Sequence, residues 1–385
     1  MRNRSNQPNF HLWMPNLFEF KGGVQVYSAF FLKAIQSLYP HGCFDVFLKH
    51  DLRSLPHVAH LPHTQFHFAG AAPASMRTLA FSAQLLSQGV WQRPDLVITT
   101  LLNFTPAAYR LKQLTGIPYW TIAHGVDAWN ITRPDLQTAL RHADLILAVS
   151  NYTRDRLLKE QDLDPAQVVL LPNTFDASRF QIGHKPAHLL QKYHLKPQQP
   201  VILTVNRLSS TELYKGYDKI LEALPQIRQA IPNVHYVLVG KGDDRPRIER
   251  LITQLQLQHC VTLAGFVPDD QLCDYYNLCD VFAMPSKCEG FGIVYLEALA
   301  CGKPVLGGNQ DGALDALCWG ELGALVNPTD IRDIAQTLIQ ILQGKHLNLL
   351  LYQSSALRQK VIEIYGFERF RQTLAYHLSM LSECN

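Results

Sequence analysis

Charge is scarce in this chain. Of 385 residues only 17% are Asp, Glu, Lys or Arg, and they leave a net charge of +3. That balance carries neither the strong basic excess nor the basic stripe of a nucleic-acid binder, so no nucleic-acid partner is expected. Long apolar runs are missing too. No stretch approaches the roughly 20 residues a membrane-crossing helix needs. The opening segment, basic at first, is broken by Asn, Pro, His and Glu before it reaches the apolar length of a secretion signal. The eight cysteines include no Cys-x-x-Cys pair. Buried reduced thiols in a cytoplasmic protein are the expectation. Any membrane contact would then be peripheral, from the cytoplasmic side, and the mildly basic balance neither demands nor forbids it.

What is present is apolar and alternating. With 47% apolar residues the chain is globular in character, and it is too long for one hydrophobic core. Short β-branched runs recur beside helix-like stretches. The first half has "FDVFLKH", "DLVITTLL", "PYWTIAHG", "ADLILAVS" and "QVVLLPN"; the second has "PVILTVNRL", "VHYVLVG", "CVTLAGFV", "DVFAMPS", "KPVLGGN" and "GALVN". Continuous apolar strands separated by helices predict parallel sheets covered on both faces, and the series occurs twice. The expected fold class is therefore α/β, two Rossmann-like domains over residues 1–180 and 181–365, with a terminal helix over 366–385 packing back on the first. Domains of this kind bind ligands at the carboxyl ends of their strands, and two facing each other leave a cleft there.

One stretch poses a chemical question. "CEGFGIVYLEALACGKPVL", residues 288–306, holds two glutamates around a Gly-Phe-Gly turn. "GIVYLEALACG" reads as a helix closed by Gly302 and stopped by Pro304. Its first N–H groups, at Gly292, Ile293 and Val294, would attract a phosphate through unpaired donors and the helix dipole. Glu297, about one turn in, suits ribose hydroxyls, while Glu289 lies before the turn. A nucleotide diphosphate-sugar has that layout. Taken alone, the pair equally suits the solvated face of a capped helix. Arg207, at a strand end, and Lys215, before a helix start, would face the same ligand, or else be solvated loop residues. As a cleft lysine, Lys215 is expected to make few core contacts.

In order along the chain, "NRL…YKG", "VLVGKGDD", "LAGFVPDDQL", "YYNLCDVFAMPS" and "EGFGIVYLEALACGKPVL" resemble the carboxyl-terminal half of retaining glycosyltransferase family 4, which has the GT-B fold. "FKGGVQVY", "TIAHGVD", "ADLILAVSNYTRD" and "LPNTFDASRF" are similar to its amino-terminal half. The resemblance implies that Arg207 and Lys215 bind the donor diphosphate, Glu289 the donor sugar and Glu297 the ribose. Phe266 and Val267 would flank the base. Gly240, Gly290, Phe291, Gly292, Ile293 and Val294 complete the donor-binding stretch. Gly22 and Gly23 match a flexible glycine loop near the phosphate, and His124 a histidine that reaches the donor sugar. Read alone, His124 equally suits a satisfied core position.

The chain departs from the family in two places. Asn173-Thr174-Phe175-Asp176 stands where Asn-Gly-Val-Asp is usual, which implies a stiffer hinge. "NQDGALDAL" (309–317) replaces a Gly-x-Pro-Glu loop on the donor side. Histidines 50, 57, 60, 63 and 67 lack regular spacing and a carboxylate cluster, so they read as a polar loop and no metal site is expected. Asp243-Asp244 and Asp269-Asp270 read as helix caps. "SMRTLAFSAQLLSQGVWQR" (75–93) reads as core-packed helix, with Trp91 a candidate for exposure. The expected activity is retaining, metal-independent transfer of a hexose from a UDP- or GDP-sugar to a glycan, lipid-linked or small-molecule acceptor, with no cofactor. The alternatives are a nucleotide-sugar epimerase, a phosphorylase, and a nucleotide-sugar sensor without catalysis.

Overall fold

The computed structural model describes residues 7–19, 22–52 and 62–383. His57, His60, Cys384 and the start of "FKGGVQVY" (Phe20 and Lys21) lie outside them. The chain divides into two compact units. One comprises the described residues through Asn173 together with those from Glu368 onward, and the other spans Thr174–Phe367.

The first unit runs β1 (Asn9–Met14), α1 (Gly23–Leu38), β2 (Cys43–Leu48), β3 (Thr64–Phe68), α2 (Ala74–Gln92), β4 (Leu96–Thr99), α3 (Thr105–Thr115), β5 (Tyr119–Ala123), α4 (Pro134–Arg141), β6 (Leu145–Ala148), α5 (Asn151–Glu160) and β7 (Val168–Leu170). Its strands are all parallel, in the order β3-β2-β1-β4-β5-β6-β7. Helices cover both faces, which is why β4, β5 and β6 are apolar at nearly every position. Ser150 shows how a helix is started here: its side chain accepts from the Thr153 N–H and fixes the first turn of α5.

The second unit runs α6 (Ala187–Lys192), β8 (Val201–Val205), α7 (Tyr217–Ala230), β9 (His235–Val239), α8 (Arg245–Gln254), β10 (Val261–Gly265), α9 (Leu272–Leu278), β11 (Val281–Met284), α10 (Ile293–Ala300), β12 (Val305–Gly308), α11 (Ala313–Ala316), β13 (Ala324–Val326), α12 (Ile331–Leu342) and α13 (Ser354–Tyr365). The sheet order is β10-β9-β8-β11-β12-β13, again all parallel. One core joins the sheet to α7 and α12 through Ile220, Leu224, Ile227, Ile334 and Leu338, all buried. Each such side chain removed from water contributes about 1.5–3 kcal/mol. The last helix, α14 (Phe367–Glu383), lies mostly in the first unit. Phe370 meets Tyr27 edge-on, Leu374 and Leu378 are buried, and His377 bonds the Leu170 carbonyl.

Both sheets are the doubly wound α/β type that the apolar runs predict. Two strands escaped that reading. β1 and β3 carry His11 and His67, which belong to a buried polar cluster: His11 bonds Gln92, and His67 bonds Asp45 at 2.6 Å while stacking on Phe47. Burial holds His11 down at about 4, so its ring is neutral. The polar-loop reading is therefore wrong for His67, which is a strand residue. α2 corrects another expectation. Phe81, Leu85 and Gly89 are buried, but Met76, Leu79, Val90 and Trp91 are exposed, so only one face of the helix packs on the core.

Gly240 is demanded by the fold itself. It leaves β9 at φ +145°, and a Cβ there would run into the carbonyl oxygen of Asn206 at the end of β8. Gly240→Ala should therefore cost about 3 kcal/mol by forcing those two strand ends apart. Denaturant unfolding checks this, and a wild-type midpoint would show that the backbones can separate freely.

Candidate active site

In the second sheet the chain order reverses between β8 and β11. The connections leave these neighbours in opposite directions, which opens a crevice at their carboxyl ends. The loop after β8 brings Arg207 and, on a 3₁₀ turn at Leu213–Lys215, Lys215; the loop after β11 brings Glu289. The two loops are fastened together. The Lys287 N–H donates to the Tyr214 carbonyl at 3.0 Å. Gly216, at φ +76°, packs so closely on the Pro285 carbonyl that no side chain fits.

Between these loops, Lys215 Nζ donates to Glu289 Oε2 at 2.7 Å, with only 16% and 18% of the two side chains exposed. Burial pulls the Lys215 ammonium down, but Glu289, then Tyr214 and Glu212, outweigh it and hold the group above its ordinary value. Lys215 is thus half of a largely buried ion pair, a partnership that the expectation of few core contacts did not include. Arg207 is more exposed and bonds Glu212 at 2.8 Å.

Asp311 is a site residue that the sequence did not disclose. Fully buried in the "NQDGALDAL" loop after β12, it accepts from the Ser286 hydroxyl (2.7 Å), the Glu289 N–H (2.7 Å) and the Ala313 N–H (2.9 Å). The Gly312 N–H donates back to the Glu289 carbonyl at 2.8 Å. The departure from Gly-x-Pro-Glu therefore supplies a brace for the backbone of Glu289. Burial pushes the Asp311 carboxyl up to about 6.

α10 starts at Gly292, whose φ of +91° turns the chain into the helix. The first N–H groups, at Ile293 and Val294, have no carbonyl of an earlier turn to bond. The Phe291 ring is buried edge-on against Tyr365, so only its backbone can address a ligand; Gly290 is buried beside Gly312. Glu297 accepts from the Tyr276 hydroxyl of α9 at 2.6 Å, and burial pushes its carboxyl up to about 7. At the end of β10, Phe266 is 64% exposed beneath Lys241 Nζ, 4.9 Å from the ring centre, while Val267 is buried. The capping expectation for the aspartates fails. Asp244 holds the N-cap position of α8 but spends its side chain on Arg247 and Tyr217, Asp243 binds Ser210, and the N-cap of α9 is Gln271.

The remaining candidates lie in the first unit, at the matching reversal between β1 and β4. Gly22 is the N-cap of α1, and Gly23 has open space around it. Asp51, also not anticipated, is buried and accepts from the N–H groups of Leu17, Phe18 and Glu19, which fixes the loop leading towards the glycines. His124 follows β5. Its Nε2 donates to the Thr100 carbonyl at 2.9 Å, its ring meets Tyr27 edge-on, and burial lowers its proton affinity, leaving a neutral imidazole.

Residues 22–179 match Glycosyltransferase Family 4, and residues 188–359 match Glycosyl transferases group 1. Among curated proteins, a GDP-mannose-dependent alpha-(1-6)-phosphatidylinositol monomannoside mannosyltransferase of Mycolicibacterium smegmatis is 32% identical over 231 residues, covering 57% of this chain and 59% of that protein. The mannosylfructose-phosphate synthase of Agrobacterium fabrum is 23% identical over 215 residues, covering 54% and 47%. The match thus spans less than two thirds of either relative. Among solved structures, sucrose-phosphate synthase from Thermosynechococcus elongatus superposes with a TM-score of 0.81 at 21% identity, covering 98% of this chain and 100% of that one. Anabaena HepE in complex with UDP and glucose gives 0.76 at 21%, covering 96% and 99%. These likenesses establish the GT-B fold.

Glu297 generates a pH test. Its folded-state carboxyl titrates near 7 against an ordinary value of 4.5. The folded protein therefore holds that proton more tightly than the unfolded chain, and the associated stability is lost as pH rises through 7. Glu297→Gln should gain stability relative to wild type between pH 5 and pH 8, by about 1–3 kcal/mol. A difference between the two unfolding curves that stays constant with pH would mean that Glu297 is not held protonated by burial.

Proposed function

The chain belongs to glycosyltransferase family 4, with the GT-B fold, and on that premise we propose that it transfers a hexose from a nucleotide diphosphate-sugar to an acceptor hydroxyl with retention of configuration. The observation that carries this reading is the buried Lys215–Glu289 pair at the strand reversal, beside the start of α10. A diphosphate seated on the N–H groups of Ile293 and Val294 would meet Arg207 and Lys215. It would replace Glu289 as the partner of Lys215, releasing that carboxylate for the sugar hydroxyls. Glu297 would hold the ribose, and Phe266 with Val267 and the backbone at Gly240 would flank the base. His124 and the Gly22–Gly23 turn are the contributions assigned to the first unit.

Transfer then breaks the bond between the anomeric carbon and the phosphate oxygen. The acceptor oxygen bonds to the same face of the sugar, and its proton passes to the departing phosphate. Negative charge grows on the leaving diphosphate, where Arg207, Lys215 and the α10 terminus stabilise it. This cluster does the electrostatic task that a divalent ion would otherwise perform, so the reaction needs no metal and no cofactor. The donor class is supported by relatives named for GDP-mannose and crystallised with UDP. The acceptor is a glycan, a lipid-linked sugar or a small molecule. A lipid-linked acceptor is favoured by the phosphatidylinositol substrate named for the mycobacterial relative and by the exposed Met76, Leu79, Val90 and Trp91 of α2. No helix among the described residues is long and apolar enough to cross a membrane, so contact through α2 would be peripheral.

A thermal-shift panel of UDP, GDP, ADP and their sugars tests the donor class. A true ligand at 100 times its dissociation constant should stabilise the protein by about 2.7 kcal/mol, and no shift with any nucleotide would overturn the reading. Transfer assayed in excess chelator should keep its full rate; activity restored only by a divalent ion would refute the metal-free mechanism.

Lys215→Ala should act twice. It strands the Glu289 carboxylate, costing about 3 kcal/mol of stability, and it lowers kcat at saturating donor at least about a hundredfold. Lys215→Arg should rescue only part of the turnover, because a planar fork replaces a compact charge. The double variant Lys215→Met, Glu289→Gln should recover stability without recovering turnover. A stable Lys215→Ala protein with near wild-type kcat would remove Lys215 from the mechanism.

A further inference from the structure

Two helices of the second unit are joined by two side-chain rungs. Cys273 and Tyr276 stand three residues apart on α9 and so share a face. Glu297, on α10, and Cys301, at its carboxyl end, stand four apart and do the same. Tyr276 bonds Glu297 at 2.6 Å, and the sulfurs of Cys273 and Cys301 lie 3.9 Å apart. The seven described cysteines are free thiols.

We propose that Cys273 and Cys301 form a thiol–disulfide switch on the ribose side of the nucleotide site, closed by hydrogen peroxide and reopened by a dithiol. The two sulfurs divide the chemistry. Cys273 is partly exposed and receives hydrogen bonds from the Gln181 N–H and the Asn277 amide; Cys301 is buried. The Cys301 thiol beside it draws the Cys273 group down to about 6, against its burial, and Cys301 itself is raised. Cys273 is therefore the attacking thiolate and Cys301 the resolving thiol.

In the first step the Cys273 thiolate sulfur bonds one peroxide oxygen, the O–O bond breaks, and the departing hydroxide takes up the proton that Cys273 had released and leaves as water. In the second the Cys301 sulfur attacks the sulfenic sulfur, S–S forms, S–O breaks, and a second water leaves with the Cys301 proton. Two thiols lose two electrons, and one peroxide becomes two waters.

A disulfide is about 2 Å long, so closing it draws the carboxyl end of α10 towards α9 and disturbs the neighbouring Tyr276–Glu297 rung. That consequence rests on the reading of Glu297 as the ribose contact; formation of the disulfide does not. Cys279 is the internal control. It is buried and donates to the Tyr276 carbonyl.

The test treats the full chain with a small excess of hydrogen peroxide and then maps peptides without reduction. It also measures UDP and GDP binding by calorimetry before oxidation, after oxidation, and after dithiothreitol. The expected result is a Cys273–Cys301 cross-link, at least threefold weaker nucleotide binding, and recovery on reduction. Cys273→Ser, and either Cys301→Ser or Cys301→Ala, should bind nucleotide as reduced wild type does and lose the response, whereas Cys279→Ser should keep it. Absence of that cross-link, or a cross-link that leaves affinity unchanged, would overturn the switch. If the reduced wild type binds neither nucleotide, the proposed function fails instead, and the peptide map still decides whether the dithiol forms.

Discussion

The second unit is organised around one buried ion pair. A lysine and a glutamate are both kept from water at the end of a parallel sheet, and each needs the other. Stranding either partner leaves a desolvated charge that costs several kcal/mol. The surrounding structure keeps them together: Gly216 is pressed on the Pro285 carbonyl, the Lys287 N–H is bonded to Tyr214, and Asp311 holds the Glu289 backbone. Such a pair is stable only while nothing better is offered. On the proposed reading a diphosphate, with more negative charge than one carboxylate, takes over as the partner of Lys215.

β8, β9, β11 and β12 of the second sheet were legible because both of their faces are buried. Continuous runs such as "VILTV" and "VFAM" leave no doubt about a covered parallel strand. β1 and β3 were not legible, for a specific reason. His11, Asp45 and His67 lie on three adjacent strands and are linked through Gln92: His11 bonds Gln92, and Asp45 bonds both Gln92 and His67. A hydropathy pattern scores each as polar and outward. Only the pairing, spread over residues 11 to 92, makes them interior.

The site divides in the same way. Glu289, Glu297 and the Gly292 turn lie within ten residues of one another, so their layout follows from a strand, a turn and a helix. That Lys215 would be neutralised by Glu289 could not be read, since 74 residues separate them and the contact exists only because β8 and β11 are neighbours. Asp311 lay within "NQDGALDAL", which was legible only as a departure from the family's loop. Its use as a brace depends on bonds to Ser286 and Glu289, more than 20 positions away. The aspartates at 243 and 244 failed as caps for a related reason. Arg247, Tyr217 and Ser210 offered stronger partners than the helix N–H groups.

The two units repeat one strand order, but their described residues furnish the reversal point differently. The second gathers Arg207, Lys215 and a helix start. The first offers Gly22, Gly23 and a histidine that burial keeps neutral. A neutral imidazole whose Nε2 hydrogen is already spent on Thr100 keeps its other nitrogen as an acceptor. Burial and that bond together set both the protonation and the tautomer of the ring.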